Sequence, residues 1–393
     1  VLDWAHPARD IVQFIMPNFY GSPAQHTIFD VFEMRTVSLV DETITNAAGN
    51  RIVHTEWGMK NYVEAALYVG ILPLLLAGIA LYDGWKRRRT AAKYPLIMAG
   101  LALASLTFMF GLPTYALLYY MLPGIEQLHS PFRWVFPFTF AIAVLAAFGT
   151  EALEREGARW SRRLGVGLMG IGLLIGGGLV ASRLLTDQVS PLVERMFTTL
   201  AKASDAFPDA RLFYSAQFAN VAIFAVVLIA SGVVIFMARR RGWALAAVIV
   251  IAVDLLVASA HFNPASDPRL LDPVPPGLQW LIDQPGEWRY TTLEEAGNPP
   301  LLNANMTMRY GLNDIRGYES IIPKTYVALM ETVYPQTQLE FNRVSPLYLD
   351  RIGETAWDRL KALNVRYLVT HGDSDLAELS ALLGGSMRVV YQD

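Results

Sequence analysis

The sequence predicts a polytopic α-helical membrane protein, of about six spans in this fragment, with an extracytoplasmic α+β domain at the C-terminus. Three observations carry that expectation. Of 393 residues, 53% are hydrophobic and only 17% charged, against ~25% charged in an average soluble domain, and the mean hydropathy is +0.31. Apolar runs of helix length recur between residues 62 and 260. Basic residues collect behind every second run, which is the pattern that orients a membrane protein.

Composition also excludes. A net charge of −3 and the lack of a basic stripe give no support to nucleic-acid binding. The chain has no cysteine, so disulfides, thiolate metal sites and a cysteine nucleophile are ruled out. It opens on Val1 with no signal-peptide pattern and reads as a segment already in mid-protein, with earlier spans expected before it.

Residues 1–61 read as a polar extracytoplasmic loop or lobe. Pro7, Pro17, Gly21 and Pro23 punctuate its start. Asp10–Met16 has one apolar side and fits a short interfacial helix. Val31–Ile52 alternates weakly, as short strands do, and Asn46–Asn50 is a turn signal.

Residues 62–260 supply the spans. The first, Tyr62–Tyr82, contains Pro73, which a membrane helix tolerates as a kink. The basic cluster Lys86-Arg87-Arg88-Arg89 follows it and fixes that end inside. The second, Pro95–Phe110, stops at Gly111-Leu112-Pro113, and Thr114–Leu122 reads as an aromatic interfacial helix. The third is Phe132–Leu153. The fourth, Leu164–Leu185, is rich in glycine, which permits close helix packing. Thr186–Gln217 reads as a polar outer loop. The fifth span is Phe218–Ala238 and the sixth Trp243–Ala260. The inner loops carry Lys86–Arg89 with Lys93, then Arg155, Arg159, Arg162 and Arg163, then Arg239–Arg241. The outer loops after spans two and four carry far fewer cations, so one orientation satisfies every loop.

Residues 261–393 change character. After a proline-punctuated linker, Pro276–Gln284 reads as a helix opened by proline, and Trp288–Leu293 and Val365–Thr370 read as strands. Thr355–Asp358 is a helix start. Asp373–Leu383 is a further helix and Met387–Tyr391 a further strand. A chain that stops immediately after a strand implies an incomplete domain.

Several stretches together resemble the bacterial YfhO family of membrane proteins, which are similar to the GT-C glycosyltransferase superfamily. They are Met16-Pro17-Asn18-Phe19-Tyr20-Gly21, Leu122-Pro123-Gly124, and Ser130-Pro131-Phe132-Arg133. Asp254 with Asn263-Pro264, Tyr310-Gly311-Leu312 with Gly317-Tyr318-Glu319, and Leu363–Leu368 complete the set. The family often has an arginine where this chain has His129. The resemblance implies a multi-pass enzyme of the bacterial cytoplasmic membrane. Such an enzyme moves a sugar from a polyprenyl-phosphate carrier to a cell-envelope glycopolymer acceptor on the outer face, with membrane lipid around it. It also implies acidic catalytic residues close to the true N-terminus, in a part expected to precede Val1.

Such chemistry needs a carboxylate base for the acceptor hydroxyl and cations for the departing phosphate. Arg133, beside His129 at the outer mouth of span three, is the first candidate for the phosphate, and Arg183 is a second. Both also fit interfacial arginines snorkelling to water. The carboxylate candidates are Asp10 and Glu56 in the first loop and Asp254 inside span six. A carboxylate at that depth costs about 2.5–3.5 kcal/mol and needs a partner, so a structural hydrogen bond explains Asp254 equally. Tyr310, Asp314, Tyr318 and Glu319 are the candidate glycan-binding residues, although a turn with aromatic packing accounts for them as well. The histidines His6, His26, His54, His129, His261 and His371 show no ligand spacing. A divalent cation is compatible with such an enzyme but has no motif here. The competing reading is a non-catalytic transporter or scaffold whose outer domain binds glycans.

Overall fold

The computed structural model describes residues 4–64, 66–86, 93–125, 130–155, 158–260, 262, 267–295, 298, 300–319, 321–337, 339, 343–348, 356–372, 374, 376–382 and 387–393. The chain divides into two compact units, Val1–Ala265 and Ser266–Asp393.

The first unit combines a lobe with apolar helices. The lobe opens with a 3₁₀ helix, Ala8–Phe14, whose Asp10 and Gln13 point inward. A hairpin follows, with β1 (Thr27–Asp30) antiparallel to β2 (Arg35–Ser38) and Ile28 opposite Val37. Alternation along β1 buries Ile28 and Asp30 and leaves Thr27 and Phe29 outside. At the Asn46 turn the side-chain carbonyl accepts from Ala48 N at 3.0 Å and Asn50 N at 2.9 Å.

The helices of this unit, in chain order, are α1 (Ile71–Lys86), α2 (Lys93–Met109), α3 (Thr114–Met121), α4 (Val135–Arg155), α5 (Ala158–Leu184), α6 (Thr186–Thr199), α7 (Ala203–Ala206), α8 (Ala210–Phe236) and α9 (Trp243–Ser259). A 3₁₀ turn, Pro131–Trp134, leads into α4. Among the described residues, three helices are long and apolar enough to cross a membrane: Pro131–Arg155, Arg159–Leu184 and Ala210–Phe236. The α2–α3 pair, bent by 88°, counts as a fourth if taken as one span. The break carries Gly111 at φ 61 and then Leu112-Pro113.

Two parts of this unit differ from the sequence reading. Tyr62–Glu64 and Ala66–Gly70 are not helical, so the first apolar helix begins at Ile71 rather than Tyr62. Gly70 takes a left-handed φ of 90, which ends the extended segment, and Pro73 then falls in the first turn, where a missing N–H costs nothing. The supposed polar loop Thr186–Gln217 is mostly helix. Its helix α6 sets Val193, Met196 and Phe197 against the lobe core at helical spacing, with Leu200 joining them just past its end. Helix α8 starts at Ala210 because Asp209 caps it, accepting from Leu212 N at 2.8 Å. The lobe is therefore built from both ends of the sequence interval. Fully buried Trp57 packs edge-on to Tyr20 at 4.8 Å and to Phe213 at 5.4 Å.

Close helix packing uses specific glycines. A Cβ on Gly149 of α4 would lie 1.9 Å from the Leu76 carbonyl oxygen of α1. Further along the same two helices, Arg155 Nη2 donates to Asp83 Oδ2 at 2.6 Å, so α1 and α4 run parallel. On α5, a Cβ on Gly165 would lie 2.6 Å from Gly232 O, and one on Gly172 would lie 2.5 Å from the Ile229 side chain, which makes α5 and α8 antiparallel. The other glycines of α5 (Gly167, Gly170, Gly176, Gly177 and Gly178) face open space.

The second unit comprises α10 (Pro276–Ile282), β3 (Arg289–Glu294), a 3₁₀ helix at Met306–Tyr310, α11 (Lys324–Glu331), β4 (Leu347–Tyr348), α12 (Ala356–Ala362), β5 (Val365–Val369) and α13 (Leu376–Leu382). The three strands are parallel in the order β4-β3-β5. With helices in the connections, this is an α/β arrangement rather than the segregated α+β expected. Leu293, Met330, Leu347 and Leu360 form one core, and Leu278, Trp288, Tyr290 and Tyr367 another. Met387–Tyr391 does not join the sheet. Instead the Tyr391 ring stacks on Trp280 at 5.6 Å, and Asp393 accepts from Gly277 N at 2.8 Å.

Candidate functional site

Asp10 and Glu56, far apart in sequence, line one small pocket of the lobe. Pro7 ahead of the 3₁₀ helix fixes its start, and the inward face of that helix delivers Asp10 (2% exposed) and Gln13 (3% exposed). Glu56 arrives on the chain beside Gly21. That glycine has φ 79, and a Cβ there would fall 2.1 Å from the Thr55 carbonyl oxygen. Only glycine lets the Met16–Gly21 stretch close onto Thr55-Glu56. Tyr20, Lys60 and Tyr62 complete the walls, and the space between them is about 10 Å³, enough for a single water.

The polar groups are held firmly. Asp10 Oδ2 lies 3.2 Å from His6 Nδ1, and Glu56 Oε2 accepts from Tyr62 N at 3.0 Å. Gln13 Oε1 and His6 Nε2 are buried without a hydrogen-bond partner. Burial first, and the Asp10 charge second, push the Tyr20 hydroxyl up to about 12, so it stays protonated and donates to Arg9 O at 3.3 Å.

Asp254 sits elsewhere in the unit, 4% exposed on α9. Its Oδ1 accepts from the Tyr68 hydroxyl at 2.5 Å and its Oδ2 from Ile71 N at 3.0 Å. It therefore caps the N-terminus of α1. A tight space of about 20 Å³ beside it is walled by Asn18, Tyr68 and Asn220.

The cation candidates separate. Arg183, in the last turn of α5, donates from Nε to Val31 O at 3.2 Å and stacks over the Phe32 ring at 4.2 Å. That pins the turn of the lobe hairpin. Arg133 lies exposed on the 3₁₀ turn ahead of α4, with no hydrogen bond or ion pair from its side chain among the described residues. His129 lies outside the described residues.

The second unit brings two of its four candidates, Asp314 and Glu319, to one shallow depression and separates Tyr310 and Tyr318 from them. Tyr310 packs against the Leu278–Tyr367 core. The Asp314 carboxylate is taken up by Arg316, with Nη2 to Oδ2 at 2.7 Å. Glu319 is exposed on a shallow depression with Ile321 and Tyr326. Tyr318 alone, 52% exposed, borders the large crevice of this unit. The sequence reading missed Glu294, Glu295, Arg316 and Arg343, which also line that crevice. A signal existed. Glu294-Glu295 closes the strand pattern Trp288–Leu293, and the carboxyl end of a parallel strand is where ligands gather. Among the described residues no group of three His, Asp or Glu is placed to hold a metal ion.

No protein family, characterised protein or solved structure matches this chain. The class is therefore defined by the molecule itself: a mostly helical protein with several apolar helices long enough to cross a membrane, consistent with a membrane protein, and a second unit built on a small parallel sheet.

Proposed function

We propose that this chain is part of an integral-membrane glycosyltransferase of GT-C type. It transfers a sugar from a polyprenyl-phosphate carrier to a cell-envelope acceptor on the outer face of a bacterial cytoplasmic membrane. The observation that carries the reading is the meeting of Asp10 and Glu56 in one pocket. One carboxylate takes the proton of the acceptor hydroxyl as it attacks, and the other holds that hydroxyl in line. Arg133, exposed and without a side-chain partner among the described residues, is the cation available to the departing phosphate.

The six-span topology belongs to the same reading. The parallel run of α1 with α4 and the antiparallel run of α5 with α8 agree with alternating spans. Residues 4–61 and 186–213 pack into one lobe, and both belong outside when the basic loops lie inside. The second unit then lies outside as well.

The test is sugar transfer from polyprenyl-phosphate donors by the intact protein in proteoliposomes. Glu56→Gln and Asp10→Asn are each expected to lower the rate by about 10²–10⁴-fold, and Arg133→Ala to lower it with insertion unchanged. Full activity in the Glu56→Gln, Asp10→Asn double variant overturns the assignment. A non-catalytic scaffold with a glycan-binding outer unit is the second reading. It is favoured by the engagement of Arg183 and Asp254 in structural contacts.

A further inference from the structure

In the second unit, β3 is the central strand. The chain leaves it for β4 on one side and later returns to β5 on the other. In an open parallel sheet the connections diverge at such a point, and a crevice opens beyond the carboxyl ends of the strands. Here Glu294 ends β3 with Glu295 following, Tyr348 ends β4, and the crevice between them measures about 520 Å³. That volume falls within the ~300–1,000 Å³ of small-molecule sites.

Its walls are of two kinds. Pro300, Leu302 and Pro346 form an apolar side, and Tyr318 and Tyr348 add ring faces. Asn298, Asn303 and Arg343 supply hydrogen-bonding groups, and the Arg343 guanidinium rests over Tyr318 at 5.5 Å.

The two carboxylates are fixed before any ligand arrives. Glu294 accepts from Thr292 Oγ1 at 2.6 Å and Leu301 N at 3.2 Å. Glu295 accepts from Ser374 Oγ at 2.5 Å and Asn298 Nδ2 at 3.2 Å. Arg316, 6% exposed, is answered twice, by Asp314 at 2.7 Å and Glu294 at 3.5 Å, and also donates to Leu302 O at 2.9 Å. With Asp314 behind Arg316, the acids Glu294, Glu295 and Asp314 outnumber the cations Arg316 and Arg343. Among these described residues, a phosphate or carboxylate entering this crevice meets more acids than cations, and Arg316 is already paired, which leaves Arg343 as the exposed cation.

We propose that this crevice is a binding site for a short, uncharged saccharide. Sugar hydroxyls donate to the fixed Glu294 and Glu295 carboxylates and accept from Asn303 and Arg343. The C–H face of the ring lies on a tyrosine, where it excludes water without needing a charge. The proposal rests on the reading that the protein handles envelope glycans, and it names the chemistry of the acceptor segment recognised.

The test titrates the full chain in nanodiscs, by saturation-transfer NMR and calorimetry. The neutral probes are trisaccharides of glucose, galactose, mannose and N-acetylglucosamine, and the anionic probes are trigalacturonate and glycerol phosphate. At least one neutral trisaccharide is expected to bind. Tyr318→Ala and Asn303→Ala should each weaken it about tenfold or more. Glu287→Ala, exposed and not among the residues lining the crevice, should leave it unchanged. Preference for an anionic probe, no binding by any probe, or binding indifferent to both crevice variants overturns the proposal. Sugar transfer is measured in parallel. Binding without transfer removes the transferase reading and leaves the crevice standing, and transfer without binding does the reverse.

Discussion

Asp254 Oδ2 accepts a hydrogen bond from the backbone N–H of Ile71 at 3.0 Å, so a carboxylate from α9 closes the buried start of α1. The first N–H groups of a helix have no partner within it, and its N-terminus carries partial positive charge. A buried acid in an apolar helix is stable there without a basic residue. The Tyr68 hydroxyl occupies the other oxygen, and the non-helical stretch ahead of α1 is held in place by the same side chain.

Asp254→Leu should therefore cost about 1–3 kcal/mol, because it strands both donors in a buried setting. Asp254→Asn keeps one acceptor and should cost less. Thermal melts in detergent compare the two. A leucine variant as stable as the parent would sink the capping role, and loss of transfer in a normally inserted Asp254→Asn would return the residue to the chemistry.

Glycines in the apolar helices should divide sharply on substitution. Gly149→Ala drives a Cβ to 1.9 Å from Leu76 O, where the backbone must shift, and a loss of about 1–3 kcal/mol is expected. Gly177→Ala meets nothing within 4 Å and should be neutral or stabilising by up to ~1 kcal/mol. Melting temperatures of the pair decide it. Equal effects would mean that α1 and α4 do not pack at Gly149.

The lobe hairpin should loosen in acid. The hydrogen bond from Arg211 to Glu33 at 2.5 Å, followed by that from Arg35, holds the Glu33 carboxyl below its ordinary 4.5. Its contribution is present above that ordinary value and is lost as pH falls through the lower folded value. Fluorescence of buried Trp57 should report an acid transition, weakened by salt because the pair is exposed. Arg211→Gln should reduce the pH dependence in that window, leaving the smaller part held by Arg35. A transition of unchanged shape in this variant would show that another group controls it.

Alkali should act on both units separately. Burial raises the Tyr20 and Tyr290 hydroxyls from 10.0 to about 12. Because the neutral form is favoured in the fold, stability is intact below pH 10, falls between there and about 12, and levels off beyond. Difference absorbance should show a late-ionising tyrosine fraction that shrinks in Tyr20→Phe and again in Tyr290→Phe. Complete ionisation near pH 10 with the fold intact would contradict both burials.

Much of the architecture was legible in residue patterning. The apolar runs at Phe132, Leu164 and Phe218 became helices because a helix satisfies its own backbone, so length and hydropathy suffice to find one. The Asn46–Asn50 turn and the strands at Arg289 and Val365 were equally local. Helix α6 was missed although Val193, Met196, Phe197 and Leu200 keep helical spacing. Its other face is polar, so the average polarity of the segment is that of a loop.

What the chain alone determined is thus the inventory: apolar helices, basic loops, a polar lobe and a mixed C-terminal unit. What tertiary structure decided is which side chains meet. It brought Asp10 beside Glu56, gave Asp254 to the start of α1, spent Arg183 on a hairpin turn, and gathered Glu294, Glu295 and Arg343 where parallel strands end. Local propensity acts between near neighbours, whereas these partners lie tens to hundreds of residues apart, and their meeting depends on how packed elements close on one another.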